Sequence, residues 1–296
     1  MDRGTVDKKS DSFQLTWLPK KTFEILVTIP WSEIKKERES VAKEAGKEME
    51  IKGFRKGMAP PKIVLEHFDK QKLLEAVLSK ILPDNYQKAV SRFGLKPIAS
   101  PKIELVSNKD EDDWQVKFTS CEIPDVSLGN YKDDLRGQKA ASKIWKPGEK
   151  PEEKEKEIKE SKEAKLQKAI EYLQKNIKVE VSDLLLEEEV THKLSQLLDQ
   201  SQKLGITIEQ YLTSLGKTTA QLREEYKIAS EKNLSLEFIL NKIAETEKIT
   251  VSSEEIEKAV SSAKSEEEKK SLEAQKYLLA SILRQQKTLD FLSGLV

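Results

Sequence analysis

Between positions 52 and 62 the chain carries Lys52, Arg55, Lys56 and Lys62 and no acidic residue. Phe54 sits inside this basic cluster, and Gly53, Gly57 and Pro60 break any regular element there. Cationic side chains around an aromatic ring suit a surface for RNA and protein. Lys and Arg attract phosphate, and a guanidinium or a ring stacks on bases or fills a pocket. Two glycines let the backbone approach a partner closely. The same residues also suit a solvated turn with Phe54 tucked into the core, and spacing alone leaves both readings open.

The other chemistry-bearing residues are sparse. Cys121 is the one cysteine, which excludes an internal disulfide and a multi-cysteine zinc site. It reads as a buried strand thiol. His67 reads as a packed or half-exposed helix residue. His192 follows Glu187, Glu188 and Glu189 on a charged helix, a solvated acidic face rather than a metal site. Asp110, Asp112 and Asp113 make an acidic turn without calcium-loop spacing. Neither a P-loop nor a GxSxG elbow is present. No cofactor, metal or catalytic residue is expected.

The elements that must carry the basic loop can be read around it. Residues 23–29 (FEILVTI) alternate and predict a strand, ended by Pro30. A helix is expected over 32–49, with Ile34, Val41, Ala45 and Met49 on its apolar face. After the loop come a short helix over 61–68 with proline at its start and a longer one over 70–93, stopped by Gly94. Residues 103–106 and 114–121 predict a hairpin across a polar turn. The first domain, 1–123, is therefore α+β: a small antiparallel sheet with a helix–loop–helix.

Residues 124–150 hold Pro124, Gly129, Gly137, Pro147 and Gly148 and read as an irregular connector. From 151 to 296 nearly everything has helical period, predicting an all-α second domain. Helices are expected over 151–178, 182–204, 208–215, 218–247, 252–264 and 266–292. Ser252 with Glu255 forms a capping-box pattern. The Lys/Glu run at 149–165 fits a solvated helix with i,i+4 pairs.

Composition agrees with long solvated helices. Charged residues are 35 % of the 296, against about 25 % in an ordinary globular chain. Lys plus Arg equals Asp plus Glu at 52 each, which excludes a global polycation. The zero hides an asymmetry: residues 1–110 carry a net +6 and the remainder a net −6. A basic first third facing something anionic fits this, as does chance fluctuation. No apolar run approaches the roughly 20 residues that span a bilayer. The polar start lacks a signal-peptide centre, so a cytoplasmic location is expected.

The run GFRKGMAPPKIVLEHF resembles the signature of the trigger factor family of bacterial ribosome-associated chaperones, with Gly53, Phe54, Arg55, Lys56, Gly57 and Pro60 on its pattern. FEILVTIPWSEI is similar to that family's first strand and helix start. SKILPDNYQKAVSRFGLKPIASPKIEL and FTSCEIPDVSLGNYK resemble its following segments. Residues 204–260 are similar to its helical body.

The resemblance implies an ATP-independent chaperone. Its first domain would dock on the large ribosomal subunit at the exit tunnel, with Gly53, Phe54, Arg55, Lys56, Gly57 and Pro60 touching a ribosomal protein and ribosomal RNA. Its armed helical domain would hold unfolded nascent polypeptides. A homodimer off the ribosome is a further partner state that the family raises. Leu185, Leu197, Leu198, Tyr277, Leu279 and Leu283 are candidate client contacts; for each, a place in the core between helices is the competing reading.

Two departures stand out. Met58 occupies a position often basic in the family, which predicts weaker or more salt-tolerant docking. The family commonly inserts a prolyl isomerase domain between its halves, and the stretch from Tyr131 to the helix near 151 has no room for one. The expectation is a chaperone without isomerase activity. A prolyl isomerase, or a chaperone that no longer docks, are the competing readings.

Overall fold

The computed structural model describes residues 12–55, 57–142, 154–262 and 265–296. The chain divides into two units, Met1–Ile123 and Pro124–Val296.

The first unit is built on a four-stranded antiparallel sheet in the order β1-β2-β4-β3: β1 (Phe13–Trp17), β2 (Thr22–Ile29), β3 (Lys102–Ser107) and β4 (Trp114–Cys121). Period-two alternation does what it must in a strand. Phe23, Ile25, Val27 and Ile29 of β2 are fully buried, as are Val116 and Phe118 of β4. Two helices cover this face: α1 (Trp31–Gly46) supplies Ile34 and Val41, and α3 (Lys70–Phe93) supplies Leu73, Val77, Ile81 and Ala89.

Strand β1 is an addition to the sequence reading, which starts the sheet at residue 23. Its signal is the alternation Phe13, Leu15, Trp17. The connection to β2 hides it, because Lys20 and Lys21 hold left-handed backbone (φ 59° and 54°). A β-turn from Pro19 to Thr22, closed by the Thr22 N–H on the Pro19 carbonyl at 3.3 Å, has that geometry at its two central residues, and Asn-Gly rather than Lys-Lys is its usual mark.

Helix α1 stops at Gly46 and not near 49, and its buried face is Ile34, Val41, Ala42 and Gly46. Ala45 and Met49, expected on that face, are only half-buried. The cause is the short helix α2 (Pro61–His67), packed so closely that a Cβ at Gly46 would lie 3.0 Å from Val64 Cγ2. Helix α3 starts on Asp69, whose carboxylate accepts from the backbone N–H of Gln71 and Lys72 at 2.9 Å. It ends on Gly94 in the left-handed region (φ 62°). At the acidic turn the Trp31 N–H donates to Asp113 (2.9 Å) and Arg38 pairs with Asp110 (2.7 Å).

The second unit is helical. Four helices close its main core: α4 (Tyr131–Ser142), α5 (Lys154–Asn176), α8 (Thr219–Thr246) and α11 (Lys276–Leu295). Leu135, Leu173, Ile239, Ile243 and Leu292 are fully buried there. Helix α4 corrects the reading of 124–150 as irregular. Tyr131 and Leu135 lie one turn apart on a single face, and burying them outweighs the cost of Gly137. Positions 143–150 of that stretch, and 151–153 of the next expected helix, lie outside the described residues.

The Tyr131 hydroxyl donates to Glu247 at 2.8 Å, and Lys132 pairs with the same carboxylate at 2.7 Å. Tyr172 of α5 donates to Asp134. Burial first, then this carboxylate neighbour, push the Tyr172 phenol up to about 12.

Helices α6 (Asp183–Lys203) and α7 (Ile208–Leu215) pack with the start of α8 around Leu197, Leu212 and Leu222. After α9 (Ser253–Ser261), the helix expected over 266–292 is two: α10 (Glu266–Ala274) and α11, parted at Gln275, whose φ −113° and ψ 33° leave the helical region. Periodicity does not mark the break, because no glycine or proline stands there. The expected extension of α9 toward 264 falls partly on residues 263–264, outside those described.

Candidate functional site: a basic loop and scattered apolar spots

The loop between α1 and α2 is held at its base by a small core. Ala42 of α1, Ile51 and Val64 of α2 are buried together, with Met49, Ala59, Ile63 and Leu65 packed around them. Ile51 and Ala59 therefore anchor the two ends, and residues 52–58 are presented between them. Two turns shape the presented segment. The Phe54 N–H donates to the Ile51 carbonyl at 3.0 Å, and the Met58 N–H to that of Arg55 at 2.9 Å.

Gly53 and Gly57 take φ 92° and 83°, a region closed to most side chains. At Gly53 a Cβ would meet nothing within 4 Å, so backbone conformation rather than space requires glycine there. Pro60 caps α2 with extended backbone (φ −59°, ψ 144°), and Pro61 follows at its first turn.

Phe54 is 40 % exposed and Met58 72 %. Phe54 is thus not tucked into the core, the alternative its sequence setting had left open. Lys52, Arg55 and Lys62 are exposed, and none of their side chains forms an ion pair among the described residues. Lys56 lies outside the described residues. The site so built is a tip with cationic groups around two apolar side chains, Phe54 and Met58. It suits a partner that offers carboxylates or phosphates beside an apolar recess.

The candidate client contacts separate on inspection. Tyr277 is 95 % exposed and Leu198 is exposed, whereas Leu185, Leu279 and Leu283 are half-buried. Leu197 is a correction: at 8 % exposure it belongs to the core with Leu212 and Leu222. Leu197 lies on the same stripe of α6 as the buried Leu186, Val190 and Ser201, and Leu198, one residue on, is rotated about 100° from it.

Other exposed apolar residues join the second unit's surface. Leu278 and Ile282 continue from Tyr277 along α11, Leu204 caps the end of α6, and Leu215 is the last residue of α7. Leu204 and Leu215 were legible only as residues next to the helix-stopping Gly205 and Gly216, where the helical face runs out.

His67 is exposed, its Nδ1 2.9 Å from the Ile63 carbonyl. His192 Nε2 lies 3.4 Å from Gln196. Cys121 is buried. Among the described residues no cluster of three metal-ligating side chains occurs, and no helix is long and apolar enough to cross a membrane.

Two family models match the chain. "Bacterial trigger factor protein (TF)" covers residues 13–161, and "Bacterial trigger factor protein (TF) C-terminus" covers 149–294. The two matches overlap at their junction. Among curated proteins, the trigger factor of Streptococcus agalactiae serotype Ia is 36 % identical over 109 residues, which are 37 % of this chain and 26 % of that one. The trigger factor of Streptococcus pneumoniae strain JJA is 36 % identical over 105 residues, 36 % of this chain and 25 % of that one. The chain thus spans about a quarter of the length of the curated relatives it matches. A solved structure described as "Promiscuous Substrate Recognition in Folding and Assembly Activities of the Trigger Factor Chaperone" shares the fold, with a TM-score of 0.67 at 16 % identity over 95 % of this chain and 99 % of that one.

Proposed function

Because the chain belongs to the bacterial trigger factor family, we propose that it is an ATP-independent chaperone that docks at the exit tunnel of the large ribosomal subunit and holds emerging polypeptides. The observation that carries this reading is the loop at 52–58. It is pinned by Ile51 and Ala59, and its cationic Arg55 and Lys52 find no acid among the described residues. A preorganised tip of this kind loses little entropy on docking.

Gly53, Phe54, Arg55, Lys56, Gly57 and Pro60 form the ribosome contact. The glycines and the proline set its shape, and Phe54, Arg55 and Lys56 touch the ribosomal protein and RNA. Leu198, Tyr277, Leu279, Leu283 and Leu185 belong to the client-holding surface, together with Leu204, Leu215, Leu278 and Ile282. Apolar spots dispersed on a charged surface hold unfolded segments weakly and release them. The cytoplasm is the compartment this role requires.

The overlap of the two family matches, 13–161 and 149–294, supports a chaperone that works without a prolyl isomerase domain. Stalled ribosomes bearing an unfolded nascent chain test the whole reading. A photo-cross-linker at Tyr277 should capture the nascent chain, and changing Phe54, Arg55 and Lys56 together to Ala should abolish capture. Capture that is absent in the parent chain, or equal in both, defeats the proposal.

A further inference from the structure

The two edges of the sheet in the first unit are built differently. Edge strand β3 carries Lys102 and Glu104, and its register with β4 shifts between Leu105 and Ser107. Charges and an irregular register blunt an edge against pairing with another chain. Edge strand β1 has neither. From Ser12 to Leu18 it reads SFQLTWL, without charge or proline, and its pairing with β2 runs without a shift.

Register fixes which backbone groups of β1 look outward. The Thr28 N–H donates to the Ser12 carbonyl and the Leu18 N–H to the Thr22 carbonyl, both at 2.8 Å. Even-numbered residues of β1 therefore bond to β2, since hydrogen-bonded and non-bonded pairs alternate along an antiparallel ladder. Phe13, Leu15 and Trp17 turn their N–H and C=O groups the other way. Among the described residues no strand pairs with that side. The side chains of these same residues lie on the inner face of the sheet. Phe13 and Leu15 pack against the core, Trp17 meets the Phe23 ring edge-on at 5.7 Å, and Arg92 lies 5.8 Å from the Phe13 ring. Trp17 is still 42 % exposed. The outward bonding groups and an apolar row thus coincide on alternate residues.

We propose that the outer edge of β1 takes up an extended segment of an unfolded polypeptide as a fifth strand of the sheet. Pairing through main-chain groups reads no particular sequence, which is what a holder of varied chains needs; the proposal rests on the holding role given above. Five residues at about 3.4 Å make a seam roughly 17 Å long. One strand spacing of about 4.8 Å wide, that seam covers on the order of 100 Å², far short of the roughly 800 Å² per partner of a standard interface, so the edge suits transient capture and not a stable pairing of two copies. Apolar residues of the captured segment would extend the row of Phe13, Leu15 and Trp17 and would direct their own N–H groups at β1.

Amide exchange of the full chain, read by NMR, tests this with a Lys-flanked peptide of alternating Val and Thr. The peptide should slow exchange at Phe13, Leu15 and Trp17 at least fivefold and leave Gln14 and Thr16, already bonded to β2, unchanged. N-methylation of its valines should weaken binding at least tenfold, and N-methylation of its threonines should not. Leu15→Pro removes one outward N–H while sparing the β2 ladder, and should weaken peptide binding at least fivefold. If that variant misfolds, the methylated peptides decide. Peptide binding without slowed exchange at these amides overturns strand addition, even where an aggregating client is still held. Slowed exchange without peptide, rising with protein concentration, assigns the edge to a second copy and also overturns it. Failure to hold either peptide or client overturns the holding role as well.

Discussion

Phe54 and Met58 place two apolar side chains among cations at one loop tip, and the two residues should contribute differently. Removing the Phe54 ring takes away an exposed anchor. Phe54→Ala should weaken ribosome binding at least tenfold, about 1.4 kcal/mol, and shift the melting temperature by only a few degrees, as paired binding and thermal-unfolding curves would read. Met58 adds area without charge. Met58→Lys should steepen the dependence of log binding constant on log salt by roughly one, since one more cation releases about one counterion.

Glu247 offers a pH signature at the same scale. The Lys132 ammonium, and after burial's opposing effect the Tyr131 hydroxyl, hold its carboxyl below the ordinary value of 4.5. Burial, followed by this carboxylate neighbour, pushes the Tyr131 phenol up, so it stays a neutral donor. A carboxyl with a folded value below its unfolded one stabilises above the unfolded value, and loses that contribution as pH falls through the folded one. Glu247→Gln should lower stability at pH 7, and the difference from the parent should shrink as pH falls below the ordinary value and vanish below the folded one. Urea unfolding across pH reads this directly.

Helix packing decides whether the loop tip is presented at all. A Cβ at Gly46 would stand 3.0 Å from Val64 Cγ2, so Gly46→Ala makes the Val64 side chain give by a few tenths of an ångström and strains the small core under the loop. It should cost about 1–3 kcal/mol in unfolding free energy and weaken ribosome binding though Gly46 lies outside the tip. Equal binding by this variant would show that the core at Ile51, Ala59 and Val64 does not position the loop. Much at this scale was legible beforehand. The end of α3 followed from Gly94, and the hairpin of β3 and β4 from its alternation. What escaped has physical reasons. Strand β1 hid behind a Lys-Lys turn in left-handed backbone, and α4 behind a glycine offset by burial of Tyr131 and Leu135. The break at Gln275 has no breaker residue. For the loop, residue types declared the cations, but only coordinates could expose Phe54. Likewise, Leu197 and Leu198 are neighbours in sequence and opposite in fate.

For the whole molecule, the first unit, 1–123, carries a net +3 and the second a net −3, so the charge asymmetry follows the docking and holding parts of the account only in sign. A division of labour predicts that aggregation of a denatured client is suppressed without nucleotide, and that the chain triple-substituted at Phe54, Arg55 and Lys56 suppresses it equally well. A short proline peptide should isomerise no faster with the chain than without it. The most direct trial of the central claim is co-sedimentation with vacant ribosomes, comparing the parent chain with the variant in which Phe54, Arg55 and Lys56 are all Ala. The parent should pellet with the large subunit and the variant should stay in the supernatant. Equal pelleting of the two would contradict docking through this loop.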